Sequence, residues 1–409
     1  MAIRQQVWRR TVPVLVALGL IGFFTLLPSP GDVEQAARVP WTCLFPCGDQ
    51  ATRDAILNVV LFVPLGIALR RLLPGRPALL LVVLTTVSVE FAQYGWILGR
   101  DPSLRDILTN AAGGALGIWL AHSWRGLLRP SATLSTRLAI AAGTTWLAMV
   151  GLTGALIRPT LPRSVYWGQW AAELGQFDTW QGTLLDATVN GYPLPRGRSG
   201  ESDVLRSLLL SDSVMVEARI VAGAPPARFA PIASVFDSEQ REIFVLGQRR
   251  DNLAFGVRTG LRTIELGDVY ARMAAFPGRE PGDTTVVAGG VVRGAWVLRA
   301  VHGEAVSERR IPMSPGLLWS ALLPFYFVLG PATRFLSAVW LGATIAPAGW
   351  FAGLGKHPPV RLALGALLAG LGFSAAAVIP GLPLPSAVEY LGIVGGLAAG
   401  WLAARWVNS

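Results

Sequence analysis

A multi-pass α-helical membrane protein of about eight to ten spans, with an inserted extracytoplasmic β-sandwich, is the fold class predicted by three observations. The chain is 52 % hydrophobic and only 15 % charged, where an ordinary soluble domain carries about 25 % charged residues. Its apolar residues gather in runs near the ~20 residues needed to cross hydrocarbon. These runs fall at about 12–28, 54–73, 77–98, 104–122, 137–157, 316–332, 335–353, 360–379 and 386–406. Between the fifth and sixth lies a stretch of mixed polarity, 163–312, with 17 basic and 17 acidic residues, so the net charge of +10 resides on the remainder. Basic residues at the ends of apolar runs set topology, and the basic balance therefore does not point to a nucleic-acid partner.

Taken in order, the first run follows Arg4, Arg9 and Arg10 and has no small-residue cleavage pattern after it, so it reads as a retained helix. The Arg-bearing 70–76 and 122–137 loops are then cytoplasmic, which puts the loops 29–53 and 99–105 and the whole of 163–312 outside. On the same count Lys356 and Arg361 fall outside, against the rule. The predicted division is a transmembrane domain over 1–160, a sandwich over 163–312 and a C-terminal helical bundle over 313–409. Cys43 and Cys47 share the external 29–53 loop, where an oxidising exterior permits a disulfide; a disulfide and two free thiols both stand as readings. No metal-ligand spacing links these cysteines to a histidine, and no cofactor motif is found.

Polar residues inside the apolar runs carry the candidate membrane site. They are Asn58 in the second run, Glu90 and Gln93 in the third, and Asp106 and Asn110 in the fourth, with Arg100 in the loop between the last two. Glu90 and Gln93 share a helix face, and Asp106, Asn110, Gly113, Gly114 and Gly117 fall on another single face. An ionisable side chain at membrane depth is expensive and is a functional-site hypothesis by default. Plainer roles compete with it. Ser103-Leu-Arg-Asp106 matches a capping box, as does Ser386-Ala-Val-Glu389. Asn58, Glu90 and Asn110 could be interhelical glue, the glycines could serve close helix packing, and Arg100 beside Asp101 could be a solvated pair.

The blocks Asn58-Val-Val-Leu-Phe-Val-Pro-Leu-Gly66, Glu90-Phe-Ala-Gln93 and Gly99-Arg-Asp-Pro-Ser-Leu-Arg-Asp-Ile-Leu-Thr-Asn110 through Gly117 stand in one order over about residues 50–122. In this they resemble the VanZ-like family of integral membrane proteins, named for a glycopeptide-resistance accessory protein. The resemblance implies a plasma-membrane protein of the cell envelope and an effect on glycopeptide susceptibility. It implies no settled chemistry.

In 163–312, Val214, Val216, Ala218 and Ile220 alternate with polar or mixed neighbours, and Leu253, Phe255 and Val257 do likewise. Strict alternation indicates half-buried strands, and several such segments joined by Gly, Asp and Asn turns indicate a sandwich. Val216-Glu-Ala-Arg219, Ile232–Asp237, Phe244–Gln248 and Leu253–Thr259 resemble the concanavalin A-like, laminin G-like jelly rolls. That resemblance implies sugar or protein binding. The Glu-x-Asp-x-x-Glu strand of glycosidases of this shape does not occur in this chain, and Glu217 has no acidic partner on its strand, so hydrolysis is not expected. Trp167, Trp170, Trp180 and Tyr192 are candidate sugar-stacking aromatics, with core packing as the competing role. The functional expectation is binding or handling of an envelope glycan or lipid-linked ligand, with membrane lipid as the other partner. An intramembrane enzyme on a lipid phosphate, with Glu90 as acid/base, and a structural envelope scaffold are the alternatives.

Overall fold

The computed structural model describes residues 2–26, 50–97, 103–170, 177–276, 281–323 and 328–408. Cys43, Cys47 and Arg100 lie outside the described residues. The chain divides into two compact units, Met1–Pro130 and Ser131–Ser409.

The described residues of the first unit form four helices: α1 (Ala2–Leu26), α2 (Ala51–Arg70), α3 (Gly75–Trp96) and α4 (Leu104–Leu128). Ile21, Phe62, Leu65, Ala78 and Val82 form its buried apolar centre. The glycines on one face of α4 set how near α2 comes. A Cβ at Gly113 or Gly117 would run into the backbone carbonyls of Val59 and Val63, the close approach that small residues permit between membrane helices.

The second unit opens with α5 (Ala132–Leu156) and ends with α8 (Thr333–Gly353), α9 (Pro358–Val378) and α10 (Ala387–Asn408). Trp146 and Val150 of α5 pack with Leu341 and Ile345 of α8, Phe373 of α9, and Ile393 and Leu397 of α10. Six described helices, α2, α3, α5, α8, α9 and α10, are long and apolar enough to cross a membrane; α1 adds the shorter apolar stretch Thr11–Leu26.

Between α5 and α8 the chain forms a two-sheet sandwich. Its strands are β1 (Trp167–Trp170), β2 (Thr183–Val189), β3 (Tyr192–Pro193), β4 (Gly197–Arg198), β5 (Ser213–Val221), β6 (Ala230–Phe236) and β7 (Glu242–Arg249). They continue with β8 (Asn252–Val257), β9 (Tyr270–Ala274), β10 (Thr284–Val292), β11 (Ala295–His302), β12 (Ala305–Pro312) and β13 (Val328–Leu329). Two short helices accompany them, α6 (Ser202–Leu209) and α7 (Leu318–Leu322). One sheet has the order β13-β9-β8-β7-β6-β1-β4 and the other β12-β11-β10-β5-β2-β3. All described pairings are antiparallel except β13 on β9. Tight turns at Asn190-Gly191 and Arg293-Gly294, with positive φ at both residues, join β2 to β3 and β10 to β11. That backbone matches the twist of a two-residue hairpin.

The alternation over 214–220 is borne out: Val214, Val216, Ala218 and Ile220 are in the core. In the other sheet the polar or small face is covered as well, so β6 is buried along its whole length. The rings of Phe177, Phe229 and Tyr270 run in a chain over that side, with centroids 5.1 and 6.2 Å apart. A Cβ at Gly247 would strike Phe229, and one at Gly256 would strike Tyr270.

One predicted span is corrected. The apolar run 316–332 is not a membrane-length helix but α7 followed, after residues not described, by β13. Leu317, Trp319, Ala321 and Leu329 belong to the sandwich core. The sandwich therefore extends past the predicted limit of 312. Likewise α5, assigned by sequence to the first domain, packs within the second unit.

Candidate functional site

The polar residues of the first unit converge at the start of α4. Ser103, the residue before this helix, accepts the Asp106 backbone N–H on its Oγ at 3.1 Å, half of the expected capping box. The return half is taken over by another helix. The Ser103 backbone N–H donates to Oε2 of Glu90, on α3, at 3.1 Å. This leaves the Asp106 carboxylate available to other partners. Its Oδ1 accepts Nδ2 of Asn58, on α2, at 2.9 Å and pairs with the Arg105 guanidinium at 3.4 Å. Glu90 and Arg105 are 7 % and 5 % exposed, so a carboxylate and a guanidinium are both taken out of solvent here, which is costly without partners.

Two further bonds extend the network along the helices. Asn110 donates from Nδ2 to Thr86 Oγ1 at 2.8 Å, and Gln93 donates from Nε2 to the Thr25 carbonyl of α1 at 2.9 Å. Asn110 Oδ1 is buried with no hydrogen-bond partner among the described residues. The structure thus brings Asn58, Glu90 and Asp106 together and places Gln93 and Asn110 on flanking helix-to-helix bonds. Arg105, Ser103, Thr86 and Thr25 complete the arrangement. Arg105 stands next to Asp106 in the sequence, and its burial is what the sequence reading missed. Of the second capping pattern the return half is formed: the Ser386 N–H donates to Glu389 Oε2 at 2.8 Å, and the Ser386 hydroxyl donates to the same oxygen at 2.9 Å. Ser314 hydrogen-bonds the other oxygen of Glu389.

In the sandwich, the four candidate aromatics separate. Trp180 is 3 % exposed and donates its ring N–H to Gln248 Oε1 at 2.9 Å, which makes it a core residue and removes it from any sugar-stacking surface. Trp170 lies beneath the Arg196 guanidinium, 3.9 Å from the ring centroid. Tyr192 donates to Glu201 at 3.0 Å, and Trp167 is partly exposed. These residues form no single platform.

A different surface does gather polar groups. Across the outer face of the six-stranded sheet one row runs Thr188, Glu217, Ala288, Arg299, Glu308, and the next runs Asp186, Arg219, Val286, Val301, Val306. The central strand β10 contributes only Val286 and Ala288 to these rows, so the charged neighbours stand above it. The result is an open trough of about 220 Å³ lined by Glu217, Val286, Ala288, Arg299 and Val301. Arg219 and Asp186 form an exposed pair at 2.7 Å beside it.

A half-buried carboxyl, Glu242, lies elsewhere in this domain at the start of β7. Burial and the nearby Asp268 push Glu242 up to about 8, while the Tyr270 hydroxyl, donating to it at 2.9 Å, and Arg262 act in the opposite direction.

No curated protein and no solved structure matches the chain. Residues 14–126 match the family model described as VanZ/LLP1. The match spans all three sequence blocks and ends just short of the boundary of the first compact unit. With those blocks joined through Asn58, Glu90 and Asp106, the N-terminal unit of this multi-pass membrane protein is similar to the VanZ/LLP1 family over nearly all of its length.

Proposed function

We propose that this chain is a cell-envelope protein that binds a glycan or a lipid-linked glycan, with the sandwich as its reading head and the VanZ-like domain as its membrane part. The observation that carries this is the trough on the six-stranded sheet. An aliphatic floor of Val286, Ala288 and Val301 suits the C–H face of a sugar ring, and Glu217 and Arg299 on the walls supply an acceptor and a forked donor for hydroxyls and carboxylates.

Charge distribution in the second unit supports an extracytoplasmic position for the sandwich. At the helix ends remote from it stand Arg137, Lys356, Arg361 and Arg405; at the near ends stand Arg158 and Arg334. Basic excess marks the cytoplasmic side. With 316–332 folded into the sandwich rather than crossing the membrane, the count puts Lys356 and Arg361 on the cytoplasmic side and Arg334 on the outer side, a net gain for the basic-inside rule. The VanZ-like match supports a link to glycopeptide susceptibility.

The test uses the purified full-length chain and soluble muropeptides of defined composition. Wild type should bind in the micromolar-to-millimolar range, and Glu217→Ala with Arg299→Ala should weaken binding by at least about tenfold, a loss of about 1.4 kcal/mol. Cells carrying the same double variant should lose any shift in glycopeptide susceptibility that wild type confers. Equal muropeptide binding by wild type and double variant would remove the trough as the recognition surface.

A further inference from the structure

At the opposite end of the VanZ-like unit from the buried network, the end of α2, the start of α3 and the stretch 115–122 of α4 line an open groove of about 480 Å³. Its polar lining is Arg70, Arg76 and His122, with two guanidinium charges and no acidic residue among the lining residues. The apolar lining is Leu79, Ala115, Ile118 and Trp119. We propose that this groove binds an anionic phospholipid, the headgroup phosphate between Arg70 and Arg76 and one acyl chain along Leu79, Ala115 and Ile118.

Four features converge on that occupant. Arg70 is held at the mouth by a bond from its guanidinium to the Leu73 carbonyl at 3.3 Å, which leaves further donor hydrogens for an anion. Pro74 precedes α3 and gives its N-terminus no side-chain cap, so the first backbone N–H groups add positive potential at the same spot. Trp119 is 53 % exposed and Leu79 is 37 % exposed, so an aromatic and an aliphatic side chain are both open to an acyl chain. The apolar residues continue from the charged mouth along helices α3 and α4, in the direction a lipid tail takes. A soluble anion would use the arginines and ignore that trough; a zwitterionic lipid would use the trough and gain little from the arginines. Juxtamembrane basic residues typically contribute roughly fivefold each in attraction to anionic lipid.

The experiment compares lipid retention by native mass spectrometry of the full-length chain, offered equal amounts of phosphatidylglycerol and phosphatidylcholine with identical acyl chains. Wild type should retain phosphatidylglycerol in preference by at least about tenfold. Arg70→Gln with Arg76→Gln should abolish the preference, whereas the charge-matched control Arg71→Gln with Arg125→Gln should keep it. Leu79→Trp, which leaves both guanidinia in place and fills the trough, should lower retention of both lipids and covers the case in which the double variant does not fold. A wild type that shows no preference, or a control that loses it equally, would overturn the proposal. So would inorganic phosphate displacing the lipid at millimolar concentration, since the site would then be one for free phosphate. None of these outcomes involves the sandwich trough.

Discussion

The VanZ-like unit and the sandwich handle polar side chains in opposite ways. In the first, Glu90 and Arg105 are buried, Asn58 and Asp106 are half-buried, and each is bonded to another member of the network or to a helix end. In the second, Glu217, Arg299 and Glu308 stand in rows on an open sheet face. A buried polar group has little freedom to change partners, because leaving it unpaired costs more than the bond is worth in water. An exposed one can exchange water for a ligand at small cost. The difference fits helix alignment as the role of the first set and the recognition proposed above as that of the second.

Four measurements can break or sharpen that contrast, the largest effect first. Asp106→Leu removes the carboxylate beside buried Arg105 and the acceptor for Asn58, and should lower stability by roughly 3 kcal/mol, read as a fall in thermal midpoint of the detergent-solubilised chain. A near-neutral result would mean that the network does not hold the helices.

The second concerns pH in the sandwich. Glu242 has a folded-state pKa of about 8 against an unfolded value of 4.5. Its contribution is fully present below about pH 4.5 and is lost as pH rises through about 8, so the region around β7 and β8 should become less protected between those limits. Glu242→Gln should flatten that slope in hydrogen exchange of β7 and β8; an unchanged slope would place the titrating group elsewhere.

Third, Glu90→Ala leaves the Ser103 N–H without its acceptor and should cost about 1–3 kcal/mol, whereas Glu90→Gln retains an acceptor oxygen and should cost less than half as much. If Glu90→Gln keeps stability but abolishes the susceptibility phenotype, the carboxylate has a role beyond helix alignment. The smallest effect is expected from Glu217→Ala and Arg299→Ala, which should change the melting temperature hardly at all, within about 0.5 kcal/mol for exposed positions. A large loss of stability there would mean that the rows hold the sheet together and that the recognition reading is wrong.

Much of this arrangement was legible in the sequence for physical reasons. Glu90 and Asp106 stood out because charge is rare in apolar runs, and Val214 to Ile220 alternated because that strand has one wet face. The run 316–332 misled because hydropathy measures removal from water and does not distinguish lipid from a protein core; Leu317, Trp319 and Leu329 are as dry under the sandwich as they would be in a bilayer. Trp180 was illegible for a related reason, since a tryptophan with a partner for its N–H can be buried or exposed. The Asn58 to Asp106 bond joins residues 48 apart in sequence, and no local pattern encodes such a pairing. Ser103 illustrates the same limit: its capping motif was visible, but the replacement of half of it by Glu90 depends on how α3 lies beside α4.

The sandwich core is not confined to the sandwich. Ile157 just beyond α5, Ala377 of α9 and Leu382 beyond it are packed into the same cluster as Val216, Phe255 and Trp296. The joint between the inserted domain and its helices is thus a weld rather than a hinge. A pull on the sheet would be delivered to α5 and α9 as strain in one shared block of side chains, with no slack linker to absorb it. Cutting the domain out at its strand boundaries would expose raw apolar surface on both pieces, so the second unit should be inherited, engineered and unfolded as one object.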